Sequence, residues 1–440
     1  MAGSKGIEQT PAQKLKTGSK TGGVMLIAAL MTGYSVVYMD KKLISAAIIP
    51  ISAQFHLDTA QTGLIMSMFF LAYSLMQIPC GWLADRFGAK RVLMGSMIVI
   101  AVFSYLFGIV SGLALFIVIR CGAGFGHGGY PPSCSKAIAE NFPQEKRTFI
   151  QSLMLATSGI GGILAFTLGA QLIDYNWRIA YAVLGSFYLV AFLMIWIFVS
   201  DGKKDVEPVP ADTKVQVEID HEAEVEGTVE TQVQVESQRD DRPKFSTVIT
   251  NRNVIVLFIA MFLINIVVYG NMSWLPSYIT KTFHLTVGQA GYILAFNSIF
   301  STIATIFSGK LLSRFFLHRE RPATIGAALI MAALIAGFVL SKILVLSIVL
   351  LILISLFGTL VFTSIFTWPH KIMDARVIGS AIGVINTGGT LGGFVAPVAI
   401  GYLVKRMGGS FVPAFFFMAC MAACVAVVVL FVRVPKQKKA

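Results

Sequence analysis

The stretch GWLADRFGAKR, residues 81–91, returns as GKLLSRFFLHR at 309–319, ungapped and with Gly, Leu, Arg, Phe and Arg in the same places. VVYMD (36–40) is likewise echoed by VVYGN (267–271), and the Thr-x-Gly-x-x-Gly of 157–162 by that of 387–392. The three offsets fall between 228 and 231 residues, so the second half of the chain is a diverged copy of the first. In a membrane protein, such a duplication places a binding site near mid-membrane where the two copies meet.

The composition makes this a membrane protein. Of 440 residues 56% are hydrophobic and only 13% charged, against roughly 25% charged residues in soluble domains. Runs of about 18 or more apolar residues cross about 30 Å of hydrocarbon as helices. Twelve such spans are predicted, near 24–54, 60–83, 91–110, 113–140, 148–173, 179–199, 253–280, 287–313, 323–341, 343–369, 377–404 and 411–432. The expected fold is therefore all-α, with two six-helix bundles at 24–200 and 247–432, a tail at 1–23 and a basic tail at 433–440. Residues 201–246 hold 13 of the 22 acids and read as a cytoplasmic linker, unable to bury enough apolar surface to fold alone. Its VQVEIDHEAEVEGTVETQVQVE alternation leaves a short hairpin open.

Lys and Arg mark cytoplasmic loops. Arg86, Lys90, Arg91, Lys146, Arg147, Arg314, Arg319, Arg321, Lys371 and Arg376 share the amino-terminal side, against Arg178, Lys281, Lys342, Lys405 and Arg406 opposite. Both termini are thus expected in the cytoplasm of a cell in whose plasma or inner membrane the chain sits. The formal charge of +13 is then a topology signal, and no nucleic-acid partner is implied. The five cysteines fall in apolar runs without metal-ligand spacing. GGTLGG (388–393) has neither a preceding strand nor a P-loop lysine. No cofactor, metal or catalytic constellation is expected, and the chain does not read as an enzyme.

The chemistry concentrates on Asp40, Lys41 and Lys42 in the first span. Outside the linker the acids are few, and Asp40 alone lies well inside a span, where an ionisable group is costly enough to imply function. Lys41 and Lys42 point about 100° apart on a helix, so only one can face a given cavity. The fourth span adds Arg120, His127, Lys136 and Glu140, with Pro131 and Pro132 between them.

GWLADRFGAKR resembles the loop signature of the major facilitator superfamily, and RCGAGFGHG (120–128) resembles its fourth-helix signature R-x-x-x-G-x-G. Within that superfamily YMDKKLISAA (38–47), YSLMQIPCGWLADRFG (73–88) and NMSWLPSYI (271–279) are similar to the anion:cation symporters, which carry organic carboxylates with protons. The resemblance implies a secondary transporter working by alternating access on a small organic anion such as a carboxylate or sugar acid, with H+ or another cation as partner and the monomer as unit.

It also implies roles. Lys41 stands where the family carries an arginine that contacts the anion, exchanging a planar fork for a point charge. Tyr38, Arg120, Asn271, Asn297 and Asn386 join it as substrate-binding candidates. Asp40 and His127 are the proton-coupling candidates. His127 occupies the place of a family glutamate, and a histidine exchanges protons near neutral pH or serves as a neutral core residue. Gly81, Asp85, Arg86 and Arg91 are gating residues, with Asp85 facing the positive amino-terminal end of the eleventh helix. Two alternatives remain open. GYPPSCSKAIAE (129–140) also resembles organophosphate:phosphate antiporters, with Lys136 as the basic residue, and a sensor without turnover would use the same fold.

Overall fold

In lipid every backbone amide must be satisfied within its own segment, so long apolar runs can only be helices. A computed structural model describes residues 20–199, 248–315, 320–369 and 378–433. The acidic linker with its hairpin option, the two chain ends, His370 and Lys371 lie outside the described residues. The helices are α1 Lys20–Gln54, α2 Thr59–Phe87, α3 Ala89–Ile109, α4 Leu113–Asn141, α5 Gln144–Leu164, α6 Ala170–Phe198, α7 Arg252–Phe283, α8 Val287–Phe315, α9 Glu320–Leu340, α10 Leu344–Thr367, α11 Ile378–Arg406 and α12 Val412–Val429. No strand occurs among the described residues. A π-helical turn, Ala165–Gly169, joins α5 to α6, and α6 is kinked at Asn176, which is extended at φ −164°.

Among the described residues, nine helical segments are long and apolar enough to cross a membrane, one of them the 54-residue run Glu145–Phe198. The outer surface is lipid-like, with Ile78, Val118, Ile197 and Val345 exposed, while Asp40, Arg120 and His127 are buried. That is the reverse of a water-soluble protein.

The duplication is visible in the packing. Helix α1 lies against α5 and α6, α2 against α4, and α3 against α4 and α6. Each contact has a counterpart: α7 against α11 and α12, α8 against α10, and α9 against α10 and α12. Between the two sets, α2 meets α11 and, symmetrically, α8 meets α5.

The repeat extends to a segment that sequence reading passed over. HLDTAQTG (56–63) matches HLTVGQAG (284–291). His56 and His284 are the only non-glycine residues described with positive φ, at 52° and 53°. Both turns lead into a capping box: Asp58 with Gln61 before α2, and Thr286 with Gln289 before α8. Gly63 and Gly291 then let the helix backbones close, on Pro397 of α11 and Phe166 of the π turn.

These two contacts are reinforced as latches. Lys405 donates to Asp58 at 2.8 Å and Thr59 to the Gly401 carbonyl at 2.8 Å. On the symmetric side Asp174 accepts from the Thr286 hydroxyl (2.8 Å) and the backbone N–H groups of Val287 (3.0 Å) and Gly288 (2.7 Å). A carboxylate at a helix amino terminus satisfies orphan donors and the dipole together. The hydrogen bonds between α1–α6 and α7–α12 gather at this end of the molecule.

Behind the Asp58–Lys405 latch lies a cavity of about 340 Å³, lined by Ile48, Ser52, Thr62, Trp274, Ser277 and Phe411 among others. The Lys405 ammonium holds the Asp58 carboxyl below its ordinary value. A depressed carboxylate contributes its energy above its ordinary pKa of about 3.9 and loses it as pH falls through the lowered value. Latch strength is therefore expected to be flat between pH 5 and 8.

Replacing Asp174 by alanine removes charge-assisted hydrogen bonds worth about 1–2 kcal/mol together at this exposed end. A cysteine introduced at Ser277, in a background lacking the five native cysteines, should then react about tenfold faster with a hydrophilic maleimide. An unchanged rate would show that Asp174 does not hold this end shut.

Candidate functional site

Helix α1 carries its charges in two directions. Asp40 points into the first six helices, where its Oδ1 accepts from Arg120 Nη1 at 3.3 Å and its Oδ2 meets His127 Nε2 at 2.7 Å. Arg120 and His127 are seven residues apart, two turns of α4, and so share one face. All three are buried, with side-chain exposures of 1%, 2% and 0% for Asp40, Arg120 and His127. Since a carboxylate only accepts, Nε2 carries the shared hydrogen, and His127 Nδ1 is left buried with no partner among the described residues. Tyr188 of α6 closes the cluster, 3.2 Å from His127 Nε2 and 3.2 Å from the Val36 carbonyl. Phe69 of α2 lies edge-on to His127 and under the Arg120 guanidinium at 4.3 Å.

Lys41 turns the other way. Its Nζ stands 4.1 Å from the Tyr73 ring centroid and 5.4 Å from that of Tyr38, an arrangement that draws an ammonium to the aromatic face. Tyr38 stacks on Tyr34 in turn. Tyr269 of α7 packs on Phe70 of α2 at 4.6 Å. Tyr38 and Tyr73, half-buried on α1 and α2, thus flank a cation that forms no ion pair among the described residues.

Lys42 takes a third direction, donating to the Ser158 carbonyl of α5 at 2.9 Å. The missing side chain at Gly162 makes room for its ammonium, and Ser298 of α8 borders the same space. The second Thr-x-Gly-x-x-Gly glycine thus serves a lysine on another helix.

The structure brings together some expected residues and separates others. Asp40, Arg120 and His127 form one cluster, yet Arg120 is committed to Asp40 and does not stand beside Lys41 as an anion contact. Burial and the opposite charge of Asp40 hold it inside. The charges of Asp40, Lys41 and Lys42 thus leave α1 in three directions, with the two lysines diverging as their helical spacing requires. Asn297 of α8 accepts from Ser355 of α10 at 3.0 Å. Asn271 is half-buried on α7 and Asn386 exposed on α11, and neither joins Asp40.

At the opposite end from the latches, Asp85 accepts from Lys136 at 3.0 Å with its side chain 77% exposed. Sequence reading did not name Lys136 as this partner, and residues 370–377, which lead into α11, lie outside the described residues. Lys136, itself anchored on the Ala84 carbonyl and beside Glu140, supplies an opposite charge from the same half. Gly81 packs on Pro132, Arg86 lies beside Trp82 and Phe87, and Arg91 is exposed. Sequence reading missed Tyr73, Tyr188, Tyr269, Asp58, Asp174 and Lys405. Of these Asp58 had a signal, in the match of HLDTAQTG to HLTVGQAG.

The Major Facilitator Superfamily profile matches residues 30–397. The chain belongs to the major facilitator superfamily. Among curated relatives of this superfamily protein, the "Probable sulfoacetate transporter SauU" of Cupriavidus necator is 27% identical, with 91% of this chain and 90% of that one aligned. The "Probable galactarate/D-glucarate transporter GudP" of Pseudomonas putida is 27% identical, with 88% and 86% aligned. Among solved structures, a bacterial homologue of the human lysosomal transporter Spinster, in an inward-facing and occupied conformation, superposes with a TM-score of 0.73 at 16% identity, covering 94% of this chain and 95% of that one. That likeness shows the fold. Superfamily membership and the apolar helices make the protein a multi-pass transporter of the cell membrane, not an enzyme.

Proposed function

We propose that the protein is a secondary transporter of small organic anions, coupled to protons, in which Lys41 is the electrostatic anchor. The observation that carries this reading is the division of charge on α1: Asp40 is satisfied by Arg120 and His127, whereas Lys41 stands between tyrosines of α1 and α2 with no ion-pair partner among the described residues. The relatives that carry sulfoacetate and galactarate or glucarate support the anion class.

Twelve spans in two six-helix bundles follow if Glu145–Phe198 crosses twice about Asn176 and α4 and α8 cross as well. The paired helix contacts support that count. The latched end faces away from the cytoplasm, in keeping with the Lys and Arg distribution. The described conformation is then closed outside, with Asn386 and Asp85 exposed on the inner side. Asp85, Arg86, Arg91 and Gly81 belong to the inner gate, which engages when the bundles rock.

In this mechanism an anion enters between the bundles and meets the Lys41 ammonium, with hydroxyls of Tyr38, Tyr73 and Tyr269 available to its polar groups. Asn271, Asn297 and Asn386 offer further neutral partners from the second bundle. A proton shared by Asp40 and His127 changes the field on α1, because protonated Asp40 no longer balances Arg120. Loading of both sites permits the swing that breaks one set of gate contacts and makes the other. His127 then takes part in proton transfer, with Tyr188 as its neighbour.

Uptake by liposomes containing the purified protein tests this reading. A panel of sugar acids, aliphatic carboxylates, sulfonates and phosphate esters should give accumulation for carboxylate or sulfonate members, several-fold greater under an inwardly directed proton gradient. Uptake confined to phosphate esters, exchanged for internal phosphate, would overturn it in favour of antiport.

A further inference from the structure

Resting on the anion reading, the charge balance of α1 narrows the ligand further. Among the described residues Asp40 is the one carboxylate on a helix away from its ends. Arg120 and His127 occupy both of its oxygens. Lys41 and Lys42 follow it directly, and neither forms an ion pair among the described residues. Lys42 has only a neutral carbonyl, that of Ser158, as its hydrogen-bond partner.

A charge withdrawn from water into such surroundings is costly unless an opposite charge meets it. With His127 neutral and Asp40 balanced by Arg120, two ammonium charges stay uncompensated at one level of the fold. They flank α1 on two sides: Lys41 among rings of α1 and α2 near α7, Lys42 against α5 with Ser298 of α8 beside it. Those are the two places where the first six helices meet the last six around α1. A ligand with one acidic group would compensate one lysine and leave the other unpaired.

We infer that the preferred ligand is an organic dianion, whose two acidic groups, carboxylate or sulfonate, balance Lys41 and Lys42 from between the two halves. The groups beside the lysines suit a polar chain between those acids: hydroxyls of Tyr38 and Tyr73 next to Lys41, and of Ser298 next to Lys42. Lys42 becomes a specificity residue, selecting the second negative charge.

The test is competitive binding of D-glucarate and D-gluconate, which share a hydroxylated six-carbon chain and differ in the second carboxylate, to the full-length protein in detergent. D-glucarate should bind at least about tenfold more tightly to the unaltered protein. Lys42→Gln should abolish most of that ratio, and Lys42→Arg, which keeps the charge, should retain it. Equal or tighter binding of D-gluconate, or an equal loss of both ligands in Lys42→Gln, would overturn the dianion inference and leave organic-anion transport standing. Failure of both sugar acids to bind would overturn the two readings together. The ratio in the unaltered protein decides the matter even if Lys42→Gln fails to fold.

Discussion

Lys41→Ala should lower anion uptake by about a hundredfold while the protein still inserts and runs as a single species on size exclusion. The magnitude follows from removing a charge-assisted contact in a dry site, worth about 2–3 kcal/mol. Folding should survive because Lys41 has no ion-pair partner to strand: its neighbours are the faces of Tyr38 and Tyr73, which tolerate a smaller side chain. Lys41→Arg restores the charge and should recover part of the rate, since the wider planar fork fits the tyrosine cage less well. Saturable uptake in Lys41→Ala at the unaltered rate would remove Lys41 from the site.

Asp40→Asn should have the opposite character, a large loss of stability joined to a loss of coupling. The substitution leaves the Arg120 guanidinium buried without a balancing charge, and breaking a buried pair from one side costs about 3–5 kcal/mol. The unfolding midpoint in detergent should fall clearly for Asp40→Asn. It should recover in the double variant Asp40→Asn with Arg120→Gln, which removes both charges. A double variant less stable than either single one would mean that the cluster is held by its hydrogen bonds and not by charge balance. Neither variant should accumulate anion against a gradient if Asp40 exchanges the proton as proposed.

Much of this was readable from single positions. The repeats at 81–91 and 309–319 and the length of the apolar runs pointed to a duplicated all-helical membrane protein, and the resemblance of 81–91 and 120–128 to the superfamily signatures implied a transporter. The seven-residue spacing of Arg120 and His127 already put them on one face of α4. The 100° between Lys41 and Lys42 required that they diverge, as they do, toward α2 and α5. What the chain could not announce was pairing across helices. Asp40 could have faced a wet path or a partner, and only the fold shows Arg120 and His127 filling its two oxygens.

The Lys136 partner of Asp85 was hidden for a related reason. A carboxylate takes the nearest cation, and Lys136 is brought to it by the α2–α4 contact, which no local pattern encodes. The latches were hidden differently. Asp58 and Lys405 are 347 residues apart, but the turns that supply one side of each latch, with Asp58 in one and Thr286 in the other, carry matching sequences at 56–63 and 284–291. A repeat search weighted toward polar turn residues would have found them where one weighted toward the loop signature did not.

The flat pH response of the Asp58 latch bears on coupling. Because its energy does not change between pH 5 and 8, a pH dependence of transport in that range has to arise elsewhere, and Asp40 with His127 is the cluster placed to supply it. The most direct measurement is proton movement itself, recorded with an external pH electrode as anion is added to lightly buffered liposomes containing the protein. Proton-coupled transport gives alkalinisation of the medium that begins with anion addition, scales with anion uptake and vanishes in Asp40→Asn. Anion uptake at full rate with no pH change in the medium would contradict coupling and leave Asp40, Arg120 and His127 as a purely structural cluster.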